Sequence, residues 1–158
     1  MTDPSLYAEI ESELRALFAG ERDLVANAAN CSALLFARLS DVNWVGFYFL
    51  RGDELVVGPF QGKPACIRIP LGSGVCGTAA RDRRTTRVDD VHAFDGHIAC
   101  DTASSSEIVV PLLQGPRLLG VLDVDSPRPG RFDAADEAGL ERIAALFAGA
   151  VEPGPLIP

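Results

Sequence analysis

The apolar residues of this chain change their period along its length, and that change bounds the fold more tightly than any single motif. Up to Leu39 they recur at helical spacing: Leu6, Ile10, Leu14 and Leu17, then Leu24, Ala28, Cys31, Leu34 and Leu35. Asp3-Pro4 supplies a cap and a first-turn proline for the first helix, and Gly20 a stop. From Trp44 the period becomes two. Trp44 to Leu50 is a predicted strand, Arg51-Gly52-Asp53 a tight turn, and Glu54 to Pro59 the hairpin partner. A third strand is expected over Cys66 to Ile69, a short helix over Val75 to Arg81, and a brief strand over Thr86 to Val88. Two long strands follow, Glu107 to Leu113 and Leu118 to Val124. Asp133 caps a last helix with Leu140, Ile143, Leu146 and Phe147 on its buried stripe.

This order implies an α+β domain: one antiparallel sheet of about six strands, with helices packed mainly on one face. Residues 1–158 read as one domain, without an internal repeat. The N-terminal helix is expected over residues 4–19, and the tail over 152–158, EPGPLIP, is expected to be irregular and superficial. Between the brief strand and the two long ones lies an irregular segment, Asp89 to Ser106. Segments of that length in compact domains are often functional.

Charge and composition narrow the function. A net charge of −8 disfavours nucleic acid or an anionic membrane surface as partner. Hydrophobic residues at 47% argue against a disordered acidic chain. No apolar run approaches a membrane span, and acids stand where a signal peptide needs a basic start. The expectation is a cytoplasmic protein whose thiols are kept reduced.

The four cysteines are then candidates for chemistry. Cys31 sits on a helical apolar stripe and reads as a small core residue. Cys66, Cys76 and Cys100 lie in polar, turn-rich contexts, ten and then twenty-four residues apart. Cys76 falls near a helix N-terminus, where free N–H groups and the helix dipole favour a thiolate. Cys66 follows Lys63, a nearby positive charge, and Cys100 lies in the long loop beside Thr102, Ser104, Ser105 and Ser106. The gaps, and the lack of a C-x-x-C pair, argue against both a structural zinc site and a thioredoxin-type oxidoreductase.

Acids form the second signal. Asp123 and Asp125 are two apart on a strand and share a face. If Glu107, which opens the preceding strand, shares it too, three carboxyls converge. Such a cluster would bind an ammonium group, and mutual repulsion would keep at least one carboxyl protonated. Taken alone, the pair reads better as a solvated face. Trp44 and Tyr48, four apart on the first strand, fit either core packing or an aromatic wall for a small ligand.

Five segments, NWVGFYFL (43–50), GPFQGKPACIRIP (58–70), GSGVCGTAA (72–80), HIACDTASSSEIVVPL (97–112) and GVLDVDSP (120–127), resemble the free methionine-(R)-sulfoxide reductases. These are single-domain enzymes of the GAF fold, and the resemblance covers roughly residues 20–150. It implies reduction of free L-methionine-(R)-S-oxide to L-methionine. Cys100 matches the nucleophile, Cys66 the main resolving cysteine, and Cys76 a third cysteine able to form a disulfide during recycling. Glu107, Asp123 and Asp125 match pocket acids, and Trp44 and Tyr48 pocket aromatics. A nucleophile shared evenly between Cys76 and Cys100 on helix-end electrostatics moves to Cys100 only through this resemblance. It further implies sulfenic acid and disulfide intermediates, thioredoxin or a similar dithiol as reductant, and no metal or organic cofactor. GAF domains often dimerise through their helices, so a homodimer is an expectation of the same kind. The competing reading is a GAF-type sensor that binds a small ligand, or senses oxidation, without turnover.

Overall fold

The long helices begin where an aspartate can cap them. In this computed structural model, which describes residues 2–96 and 103–154, α1 spans Pro4–Phe18, α2 spans Leu24–Arg38 and α4 spans Ala134–Ala150. The Asp3 side chain accepts from the Ser5 N–H, Asp23 from Ala26 and Asp133 from Asp136. The Asp136 carboxyl returns a bond to the Asp133 N–H, closing a capping box. A shorter helix α3, Gly74–Asp82, has no side-chain cap.

The strands are β1 (Trp44–Arg51), β2 (Glu54–Gly62), β3 (Arg68–Pro70), β4 (Thr86–Val88), β5 (Ser106–Gln114) and β6 (Arg117–Ser126). They form one antiparallel sheet in the order β3-β2-β1-β6-β5-β4. The fold is therefore the expected α+β arrangement, six strands and four helices among the described residues. No helix among them is long and apolar enough to cross a membrane.

Strand alternation divides the side chains between two cores. Val45, Phe47 and Phe49 of β1, Ile108, Val110 and Leu112 of β5, and Leu122 and Val124 of β6 pack against α1, α2 and α4. The Phe47 and Phe147 rings lie 4.6 Å apart at the centre of this layer. On the opposite face Trp44, Tyr48, Leu55, Ile69, Val109 and Val121 pack against α3. The larger core anchors the sheet, and the smaller one holds the pocket described below. Helix α4 lies close on α1: a Cβ at Gly139 would come within 2.2 Å of the Tyr7 ring. The Tyr7 hydroxyl there donates to Asp136, which also pairs with Arg131.

Three local expectations are corrected. The buried stripe of α1 is Tyr7, Ile10, Leu14 and Phe18, whereas Leu17 is 44% exposed. Large aromatics, not the nearest leucines, set the face that meets α4. β2 runs past Pro59 to Gly62 because a bulge accommodates the proline. Gly58 and Pro59 together oppose the single Phe47, so the missing N–H breaks no ladder bond. β3 starts at Arg68, not Cys66, and leaves Cys66 in the irregular connection after β2. The tail also begins more firmly held than expected, since the Glu152 N–H donates to the Arg22 carbonyl.

Gly120 sets how closely β6 can approach β1. Its φ is +152°, and a Cβ built there would lie 1.9 Å from the Tyr48 carbonyl oxygen. Gly120→Ala should cost about 3 kcal/mol or more, since both a forbidden conformation and a backbone clash are imposed. A urea midpoint close to that of the unsubstituted protein would show that the sheet yields there.

Candidate active site

The sheet register assembles the acids. Glu107 on β5 pairs directly with Asp125 on β6, and Asp125 pairs on its other side with Trp44 of β1. Asp123 lies two residues along β6, opposite Gly46 and Val109. Glu107, Asp123 and Asp125 therefore share the face that carries α3. The condition left open by the sequence, that Glu107 lie on the same side, is met.

These side chains line one pocket with Trp44, Tyr48, Pro64, Ala65, Ile69, Ser73, Gly74, Val75, Cys76, Val91 and Ser104. Its empty space, with the open mouth included, is about 580 Å³. The acids and the aromatics are neighbours in it, with Trp44 paired in register with Asp125. The wall residues Val91, Ile69 and Ser73–Val75 carried no sequence signal beyond hydrophobicity and a Gly-Ser-Gly turn. Register alone does not reveal them, because they reach the pocket from separate elements.

Burial governs the titration of the acids. Glu107 and Asp123 are both buried. Desolvation, then the nearby Asp123 charge, pushes the Glu107 carboxyl well above its ordinary value. Desolvation, then repulsion from Asp125, does the same to Asp123. Asp123 is within hydrogen-bonding reach of Glu107, Cys76 and Asp125. Its Oδ1 is nonetheless buried with no hydrogen-bond partner among the described residues. The pocket thus holds carboxyls raised above their ordinary range and one buried oxygen without a hydrogen-bond donor among the described residues.

The thiols occupy different environments. Cys76 stands in the first turn of α3, as its sequence position implies, but is buried. Desolvation, then the charges of Asp123, Glu107 and Asp125, pushes its thiol well up. The expectation that the helix end would make it a thiolate is overturned, because burial against three acids outweighs the dipole. Cys66 is half-buried and disulfide-bonded, while Cys31 and Cys76 are free. Cys31 lies in the helical core, as expected. Cys100 lies outside the described residues.

The two aromatics do more than pack. Trp44 stacks on Tyr48 at 5.8 Å and on Phe60 at 5.1 Å. The Trp44 indole N–H donates to the Lys63 carbonyl at 3.1 Å, and the Tyr48 hydroxyl donates to the Cys66 carbonyl at 3.0 Å. The wall of the pocket therefore also holds the connection that carries Cys66. Lys63 itself is exposed and contributes its backbone to this arrangement. Tyr48→Phe should lower stability by about 1 kcal/mol and speed amide exchange between β2 and β3. Unchanged exchange there would show the bond to be dispensable.

The base of the long segment is pinned beside the acids. The Val91 N–H donates to the Ser105 carbonyl, the Ser105 N–H to the Ser126 carbonyl, and the Asn43 amide to the Ser104 hydroxyl. A 3-10 turn, Val91–Ala93, adds structure where none was expected.

An antiparallel six-stranded sheet with a small-molecule pocket between one face and a short helix defines a GAF domain, and the GAF domain family matches residues 23–152. The chain is 54% identical over 145 residues to a free methionine-R-sulfoxide reductase of Escherichia coli, covering 92% of this chain and 88% of that one. Among solved structures, it is 44% identical to the free methionine-R-sulfoxide reductase of Neisseria meningitidis in complex with its substrate, with a TM-score of 0.90, covering 95% of this chain and 91% of that one. It is also 56% identical to a Burkholderia vietnamiensis protein described as a GAF sensor, with a TM-score of 0.91 and coverage of 95% and 96%. The chain belongs to the free methionine-R-sulfoxide reductase family of GAF-domain proteins.

Proposed function

We propose that this protein reduces free L-methionine-(R)-S-oxide to L-methionine, with Cys100 as nucleophile and Cys66 as resolving cysteine. The observation that carries the reading is the convergence of Glu107, Asp123 and Asp125 in one pocket, walled by Trp44 and Tyr48, whose side chains hold the connection bearing an oxidised Cys66.

The carboxyls suit the substrate's ammonium group and reach its sulfoxide oxygen, and the Trp44–Tyr48 wall suits its methyl group. A peptide-bound methionine sulfoxide presents a neutral amide to the same carboxyls. It leaves them desolvated without a cation, which disfavours it. The Cys100 thiolate attacks the positive sulfur, while a pocket acid with a raised pKa gives its proton to the sulfoxide oxygen. In the protonated adduct the hydroxyl shifts from the substrate sulfur to the Cys100 sulfur as the old sulfur–oxygen and the new sulfur–sulfur bonds break, so methionine departs and Cys100 is left as a sulfenic acid. The Cys66 thiol then displaces that oxygen as water and forms a disulfide with Cys100. Two electrons have passed from the two thiols to the sulfoxide. Thioredoxin or a similar dithiol returns the enzyme to its reduced state by exchange. In this scheme Cys76 serves the recycling path, not the chemical step.

Cys66→Ser should still form about one methionine per chain and then stop under thioredoxin-driven cycling. Sustained cycling would assign resolution to another cysteine. NADPH consumption with thioredoxin, thioredoxin reductase and the free sulfoxide separates this reading from a ligand-binding sensor, which would consume none.

A further inference from the structure

We infer that Cys76, Glu107 and Asp123 form a binding site for one divalent cation of the zinc group, zinc or cadmium. The Cys76 sulfur and one carboxylate oxygen each from Glu107 and Asp123 all lie within 4.8 Å of one another. A tetrahedral zinc site, with Zn–S near 2.3 Å and Zn–O near 2.0–2.2 Å, sets its donors roughly 3.5 Å apart. Small side-chain movements bring this triad to that spacing. The three donors come from the first turn of α3 and from two adjacent strands, β5 and β6, so rigid elements fix their backbones.

A second observation points to a ligand. All three residues are buried, and the buried Asp123 Oδ1 has no hydrogen-bond partner among the described residues. A buried carboxylate oxygen without a partner is costly, and a cation removes that cost. The donor chemistry favours a metal over an organic cation. An ammonium group engages the carboxyls and leaves the thiol idle, whereas a borderline-soft ion uses all three. One thiolate and two carboxylates more than offset a charge of +2, and the thiol proton, with any proton held on Glu107 or Asp123, leaves to the buffer. The triad lines the pocket, so the fourth coordination position opens to water there. The spacing argument against zinc counted cysteines along the chain. This donor set holds one cysteine and is assembled across the sheet, where such counting does not reach.

One consequence rests on the proposed function: the metal and the substrate's ammonium group would compete for the same acids. The test is to titrate cadmium chloride alone into the oxidised protein, in which Cys31 and Cys76 are the free thiols among the described residues. One equivalent is expected, with a sulfur-to-cadmium charge-transfer absorption. Cys76→Ser should lose that absorption, and Asp123→Asn should bind at least about tenfold more weakly while keeping it at saturation. Wild-type protein without the absorption, an absorption that survives Cys76→Ser, or an unchanged affinity in Asp123→Asn would each overturn the site. Excess free methionine sulfoxide should displace the ion. An absorption indifferent to it, with the variant results as expected, leaves the metal site standing and counts against the substrate reading of the pocket.

Discussion

Cys100→Ser is expected to lower methionine formation by at least about 10³-fold, because the proposed mechanism assigns the attack to this thiol and the buried thiols cannot take it over. Cys31 is fully buried under helices, and desolvation pushes its thiol up to about 12. Cys76 is buried, and desolvation, then the charges of Asp123, Glu107 and Asp125, pushes its thiol well up. Cys66 is half-buried and already disulfide-bonded, which suits a resolving partner that meets its sulfur after the oxygen has transferred. Reactivity requires a thiolate with access to the pocket, and those conditions exclude Cys31 and Cys76 in turn. The variant should keep its fold, since the two cores are built from other residues. A single-turnover assay with free methionine sulfoxide reads the effect. Residual activity within tenfold of wild type would place the nucleophile elsewhere.

Asp123→Asn should lower kcat/KM by about 10²-fold or more and at the same time stabilise the protein at neutral to alkaline pH. The two effects share one origin. Glu107 and Asp123 have folded pKa values raised well above their ordinary values of 4.5 and 3.8. The folded state therefore holds these protons more tightly than the unfolded chain does. By linkage, their contribution to stability is intact below about pH 4 and is lost as pH rises toward the raised folded values. Asparagine removes one of the repelling charges, so the decline with pH should flatten and the variant should gain about 0.5–2 kcal/mol at pH 8. In the proposed mechanism the proton lost at high pH is the one given to the sulfoxide oxygen, so activity in the unsubstituted protein should fall over the same rise in pH. Thermal melts at pH 5 and pH 8 beside steady-state kinetics check both halves. Parallel pH–stability curves for the two proteins would contradict the assigned burial of charge.

Much of this architecture was legible in the sequence, for identifiable reasons. Period-two runs joined by Gly-containing turns located β1, β2, β5 and β6 to within a few residues, and aspartates marked the starts of α1 and α4. The two-residue spacing of Asp123 and Asp125 fixed their common face. Whether Glu107 joined them depended on which residue of β5 pairs with Asp125, and register is set by the hairpin as a whole. The bulge at Gly58 and Pro59 escaped notice because proline reads as a strand end when the partner strand is unseen. The fate of the Cys76 thiol was misjudged because a helix N-terminus is visible in one segment, whereas the acids that oppose it come from two others. The hold of Trp44 and Tyr48 on the Cys66 connection joins side chains to backbone carbonyls nearly twenty residues away, which no local pattern encodes.

The most direct test is an anaerobic single turnover of the reduced protein with one equivalent of free methionine-(R)-sulfoxide, followed by peptide mapping under acid quench. The account predicts about one methionine per chain and a peptide pair joined through Cys66 and Cys100, with far less product from a peptide-bound sulfoxide. Absence of methionine, or product accompanied by a disulfide that leaves Cys100 free, would contradict it.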